Sequence, residues 1–211
     1  MNRINKLSRV THSSYGTASR IVSEATRLFA AKGYDGVSIH DISEAAGVNI
    51  AAVNYHFESK ANLFQQIIEQ FMSELLVSAR NTLLPPRSAD DFKIRLDIFV
   101  RQTIEAIIKQ PDVISIMQRE MVRSNDVFQK TILKHQEALI TFLMQAKKSG
   151  ILATDVDPLF SAEFLLGQIA QARRRERVGK YLFGRSSSDE KFRDQWIQQL
   201  LRVFLGGVMV K

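Results

Sequence analysis

Apolar residues recur three and four positions apart along nearly the whole chain, and no two-residue alternation persists anywhere. The pattern predicts helices throughout and an all-α class. The first segment, Thr17–Gly33, places Ile21, Val22, Ala25, Leu28 and Phe29 on one face. Thr17 is its expected N-cap and Gly33 its stop. A short helix follows from Ser38 to about Ala46, with Ser38 and Asp41 in near capping-box spacing and Ile39, Ile42 and Ala46 inward. Gly47-Val48 turns the corner, and Asn49 caps a third helix to Phe57. Ser59 caps a long fourth, with Leu63, Ile67, Ile68, Phe71, Met72, Leu75 and Leu76 on its apolar side. Pro85-Pro86 and the polar Arg87–Asp91 break the pattern. It resumes over Phe92–Lys109, about Pro111–Arg123, and Asp126–Ser149, where Gly150 stops it. Asp157-Pro158 signals another start, cap followed by first-turn proline. After a serine-rich loop over Gly184–Asp189, a last helix carries Phe192, Trp196, Leu200, Phe204 and Leu205.

Composition narrows the class. The chain has 211 residues, no cysteine and no apolar run near the roughly 18 residues of a membrane span. Disulfides and thiolate chemistry are excluded, no membrane partner is expected, and a cytoplasmic location fits best. The basic leader MNRINKLSRVTHSS has no hydrophobic region of the kind a secretion signal needs. Net charge is +7, which favours a polyanion, but its distribution does not locate one. Residues 1–16 carry Arg3, Lys6 and Arg9 without an acid, whereas residues 17–60 carry four bases and five acids. A generally basic, well-solvated surface explains the excess equally well.

The informative stretch is SIHDISEAAGVNIAAVNYHFESK, residues 38–60. Its two short helices are joined by Gly-Val-Asn, a link too tight for antiparallel packing and suited to a crossing near 90–120°. With Val53 and Phe57 inward, Ala51 and Tyr55 face out and Ala52 and Asn54 flank them. That outer face is small at its first turn and polar or aromatic beyond, as a helix entering a major groove requires. Asn54 suits a bidentate pair with adenine, and Ala51 or Ala52 a thymine methyl. Tyr55, His56 and Lys60 suit phosphates. For His56 the competing reading is a helix-end histidine bonded to backbone, and for Tyr55 a half-buried packing residue.

On these residues the sequence resembles the TetR family of regulators. The pieces that carry the likeness are Phe29…Gly33-Tyr34, Ile42…Ala45-Ala46-Gly47-Val48 and Tyr55-His56-Phe57…Ser59-Lys60…Leu63, over about residues 17–64. One departure is Asn54, where the family commonly has an aromatic residue. The resemblance implies that Ser38, His40, Ile50, Ala51, Ala52, Asn54, Tyr55, His56 and Lys60 face DNA. It implies a homodimer built on the last two helices and a small-molecule cavity in the body. The expected organisation is an arm (1–16), a three-helix helix-turn-helix head (17–64) continuing in a connecting helix to about 84, and a larger effector-binding and dimerisation body (85–211). The arm either reaches DNA or is a solvated, flexible leader.

Leu165, Ile169, Trp196, Leu200 and Phe204 are the expected dimer residues, because both final helices carry more apolar surface than a peripheral helix needs. A monomeric three-layer core is the alternative. Two-fold symmetry would make the operator palindromic. Candidate ligand-lining residues are Phe99, Met117, Met121, Phe142 and Phe164, with Gln118 and Gln168 as polar anchors, and each is also a plausible packing residue. They suggest a largely apolar effector. The run Arg173-Arg174-Arg175-Glu176-Arg177 is more simply a solvated face than a nucleic-acid patch. No metal-binding histidine spacing, P-loop or nucleophile elbow occurs, so neither catalysis nor a cofactor is expected. A protein–protein adaptor and an activator remain as rivals to a ligand-released repressor.

Overall fold

The computed structural model describes the backbone of residues 4–120, 126–172, 179–181, 184–185 and 189–210, without the side chains of 4–15, 120, 126–132 and 135. Met121, the Arg173–Arg177 run and residues 186–188 of the serine-rich loop lie outside the described residues. The described residues form helices α1 (Ile4–Lys32), α2 (Ile39–Ala45), α3 (Ile50–Phe57), α4 (Lys60–Thr82), α5 (Ala89–Lys109), α6 (Pro111–Glu120), α7 (Asp126–Lys148), α8 (Pro158–Ala170) and α9 (Glu190–Val208). Among them no strand forms, and a single isolated antiparallel bridge links Leu152 to Met209. The fold is all-α, as the periodicity predicts.

Local chemistry explains most of the boundaries. Ser38 accepts from the Asp41 amide at 3.1 Å while the Asp41 carboxylate takes the Ser38 amide at 2.8 Å, a reciprocal capping box. Those bonds hold the Asp41 carboxyl below its usual range. They therefore support α2 at neutral pH, and the support is lost only as pH falls through the lowered value. Asn49 Oδ1 accepts from Ala52 N at 2.8 Å to start α3, and Ser59 Oγ from Asn62 N at 3.1 Å to start α4. Asp157 caps α8 through the amides of Leu159 and Phe160, with Pro158 at the first position.

One boundary differs from the sequence expectation. The first helix begins at Ile4, not at a Thr17 cap, so residues 4–16 continue α1. No proline occurs there and no glycine precedes Gly16, so nothing in that stretch stops a helix.

Backbone contacts divide the chain into two units. The first comprises Met1–Phe71 and Asp112–Phe128, the second Met72–Pro111 and Gln129–Lys211. The division falls inside α4, and it groups α6 with the head although α6 follows the break at residue 85. In the first unit Ile21, Ala25, Phe29, Val37, Ile42, Val53, Phe57 and Leu63 are buried. In the second, Phe92, Leu96, Phe99, Ile104, Leu139, Phe142, Leu143 and Leu165 are buried. The rings of Phe92 on α5 and Phe142 on α7 stack 5.1 Å apart, within 10° of parallel. Arg101 on α5 binds Asp97 at 2.8 Å and Asp194 on α9 at 2.7 Å, tying two helices of that unit. No described helix is long and apolar enough to cross a membrane.

Candidate nucleic-acid interface

The geometry of α2 and α3 follows from two corners. Gly33 ends α1 with a positive φ of 79°, and the Arg119 Nη1 atom lies 3.0 Å from where a Cβ would stand. Gly36, in the turn to α2, would place a Cβ 2.6 Å from the Lys32 carbonyl oxygen. At Gly36 a larger residue would force the backbone to move, whereas at Gly33 the Arg119 side chain can give way and the positive φ is what favours glycine. After α2, the amides of Gly47 and Val48 return to the carbonyls of Glu44 and Ser43, at 3.1 and 3.0 Å. The chain thus leaves α2 and enters α3 across the four-residue link of residues 46–49, with Val53 and Phe57 sunk into the head.

The opposite side of α3 is open. Tyr55 is 82% exposed, Ile50, Ala51 and Asn54 are exposed, and Ala52 and His56 are half-buried. The Tyr55 and His56 rings lie edge to face, 5.2 Å between centroids. Ser38 and His40 are exposed at the start of α2. His40 Nδ1 lies 4.0 Å from the Glu44 carboxylate one turn on, a loose surface contact. The face therefore offers small side chains at its first turn and an amide, a phenol and imidazoles beyond.

Lys60 is placed differently. Its ammonium donates to the carbonyls of Tyr34 and Val37 at 3.0 and 2.9 Å and lies 4.2 Å from the centre of the Tyr34 ring. Sequence reasoning placed this lysine at a phosphate; a pairing across 26 positions leaves no local signal.

Sequence reasoning also missed Glu58, between α3 and α4, which has a φ of 64°. A β-carbon in that region costs about 1–2 kcal/mol. Its carboxylate accepts from Asn62 Nδ2 at 3.1 Å, a modest return at an exposed site. Glu58→Gly is expected to stabilise the protein by about 0.5–1 kcal/mol, the relieved strain less the extra chain entropy of glycine. Calorimetry would show a melting point raised by about 1–4 °C. An unchanged or lower value would mean that the Asn62 bond outweighs the strain.

The other candidate residues fall in both units. Phe99 and Phe142 are buried in the second unit, where Gln168 is half-buried. Met117, half-buried, and Gln118, exposed, belong to the first unit. Phe164 is 50% exposed on α8. It lines an open cleft with Phe160, Val203, Phe204 and Gly207. Of the expected dimer residues, Leu165, Ile169, Leu200 and Phe204 are buried within the second unit itself, and Trp196 is half-buried. The exposed apolar side chains on the same helices are Leu159, Phe160, Phe164 and Val203, with Phe160 at 69% and Val203 at 66%. Their signal in the sequence was the apolar surplus of α8 beyond one stripe. Among the described residues no cluster of three or more metal-ligating side chains occurs.

Residues 21–67 match the family model described as bacterial regulatory proteins, tetR family. The chain is 26% identical over 166 residues to the HTH-type transcriptional repressor DhaR of Mycobacterium sp. (strain GP1), covering 75% of this chain and 81% of that one. It is 25% identical over 160 residues to the repressor KstR2 of Rhodococcus jostii (strain RHA1), covering 74% and 77%. Its fold matches that of the ketosteroid transcriptional regulator KstR2 of Mycobacterium tuberculosis with a TM-score of 0.69 at 20% identity, over 92% of this chain and 95% of the other. It likewise matches the fatty acid degradation regulator FadR of Bacillus halodurans, with a TM-score of 0.70 at 14% identity, over 89% and 94%. The matched segment spans the helix-turn-helix whose outer face is described above, and together these likenesses support a TetR-family transcriptional regulator.

Proposed function

We propose that the protein is a repressor that holds a palindromic operator as a homodimer and releases it when a small, largely apolar ligand occupies the body. The observation that carries the DNA contact is the division of α3 into a buried edge, Val53 and Phe57, and an open face bearing Ala51, Asn54 and Tyr55. Ser38, His40, Ile50, Ala52 and His56 border that face. Asn54 reads a base edge and Tyr55 and His56 fix register on phosphates.

Dimerisation is assigned to the exposed apolar side of α8 and α9 around Phe160, Phe164 and Val203, since exposed apolar patches rimmed by polar residues mark association surfaces. Leu165, Ile169, Leu200 and Phe204 support that face from beneath. The repressor reading follows the two relatives, both named as repressors. The apolar ligand class agrees with two structurally similar regulators, one named for ketosteroids and one for fatty acid degradation.

Selection of bound sequences from a random duplex library tests the reading. A palindromic winner bound by two protomers is the expected result. A non-palindromic site occupied by one protomer would overturn it. Titrating the complex with long-chain acyl and steroid compounds is expected to release the DNA, and a polar effector as the only active one would overturn the ligand class.

A further inference from the structure

The lysine that follows α3 is drawn onto the head's own backbone. Lys60 opens α4, yet its ammonium donates to the carbonyls of Tyr34 and Val37, 26 and 23 positions earlier. The Tyr34 ring beneath it packs edge-on against Phe64 of α4 at 5.0 Å and stacks against Phe29 of α1 at 5.9 Å. The turn's own bond, Val37 N to Tyr34 O, is 3.4 Å, at the weak end of useful hydrogen bonds. The ammonium joins the same two residues more tightly than that bond does. Val37 is buried and immediately precedes Ser38, the cap of α2. Tension or slack at Val37 is therefore passed to α2, against which α3 packs across the short link of residues 46–49.

We infer that Lys60 is a positioning residue for DNA recognition: it fixes the Tyr34–Val37 turn, and with it the seat of α2 and α3, and it does not neutralise a phosphate. The inference rests on the DNA-binding reading of the head and adds a role within it. With two of its three donors on carbonyls and a ring alongside, the ammonium is held at the turn, and moving it to a phosphate would cost both of those bonds.

The two roles differ in how binding responds to salt and to sequence. A lost phosphate contact weakens binding to every duplex alike and flattens the plot of log Kd against log salt by about 0.9 for each phosphate. A displaced recognition helix loses preference for the operator while the slope stays.

The experiment measures Lys60→Met and Lys60→Arg against the selected operator and a scrambled duplex, across salt, well below each variant's melting temperature. For Lys60→Met the ratio of scrambled to operator Kd is expected to fall about tenfold, with the operator slope unchanged. Lys60→Arg keeps the charge and is the variant to read if Lys60→Met does not fold. Its broad planar head does not seat as a compact ammonium does, so its ratio is expected to fall about threefold. A flattened slope with an unchanged ratio in Lys60→Met would overturn the inference in favour of a phosphate contact. So would a lowered melting point with the wild-type ratio and slope, or a wild-type ratio in Lys60→Arg. A wild-type protein that prefers no duplex would remove the DNA-binding reading and this inference together, and the unmutated chain alone reveals that case.

Discussion

Phe142→Ala is expected to lower stability by about 3–5 kcal/mol, the largest single-residue loss anticipated for this protein's folding. Phe142 is fully buried on α7 and its ring lies flat on that of Phe92, also fully buried, on α5. Truncation removes the ring from an apolar interior and leaves Phe92 with a void on one face. The surrounding helices close such a void only in part, because Leu96, Phe99, Leu139 and Leu143 are themselves buried. Against a typical net stability of about 5–15 kcal/mol this is a large share. Thermal denaturation followed by circular dichroism should show a melting point lower by about 10 °C or more. A fall of less than about 3 °C would show that α5 and α7 collapse around the gap, and that the stacked pair contributes little beyond filling space.

Phe142 also illustrates what a sequence can and cannot reveal about this fold. Helical period and caps are local properties, so Asp157-Pro158, Ser38…Asp41 and the Val53/Phe57 stripe were legible as written. Burial against solvent was legible too, where one face is apolar and the other polar. The function of an apolar residue inside an all-helical body was not. Phe99 and Phe142 carry the same pattern whether they line a ligand cavity or fill a core, and they turn out to be fully covered. On α8 and α9 the difficulty is sharper, because two apolar stripes run along α8. Periodicity shows the surplus but not which stripe meets the chain's own core. Leu165 and Ile169 take the inner one, and Phe160 and Phe164 the outer. The contacts of Lys60 were not legible for another reason: its partners are backbone carbonyls of a distant turn, and any residue type leaves the same carbonyl in the sequence.

Val203→Arg should abolish tight operator binding while leaving the folded chain intact, and it is the strongest functional prediction made from the α8–α9 face. Val203 is 66% exposed and shares an open cleft with Phe160, Phe164 and Gly207. In the free chain the substitution exchanges one solvent-facing side chain for another, a change of about 0.5 kcal/mol or less in the fold itself. In a two-fold dimer each interface receives the change twice, because an isologous contact uses the same patch on both partners. Two guanidinium groups then face an apolar surface with no described acid on that cleft except Asp157, whose carboxylate already caps α8. Burying an uncompensated charge there costs several kcal/mol, enough to dissociate an interface of ordinary size. Loss of the dimer removes the tethering of the second head, and with it about 10²–10⁴-fold in operator affinity. Sedimentation should find one 24.0 kDa chain where the wild type gives two. Its melting point should cease to rise with protein concentration. A Val203→Arg protein that sediments as a dimer and binds the operator as the wild type does would place the two-fold contact elsewhere on the chain. Were it monomeric with undiminished affinity, one head would suffice for recognition, and the palindromic operator would have to be given up along with the dimer.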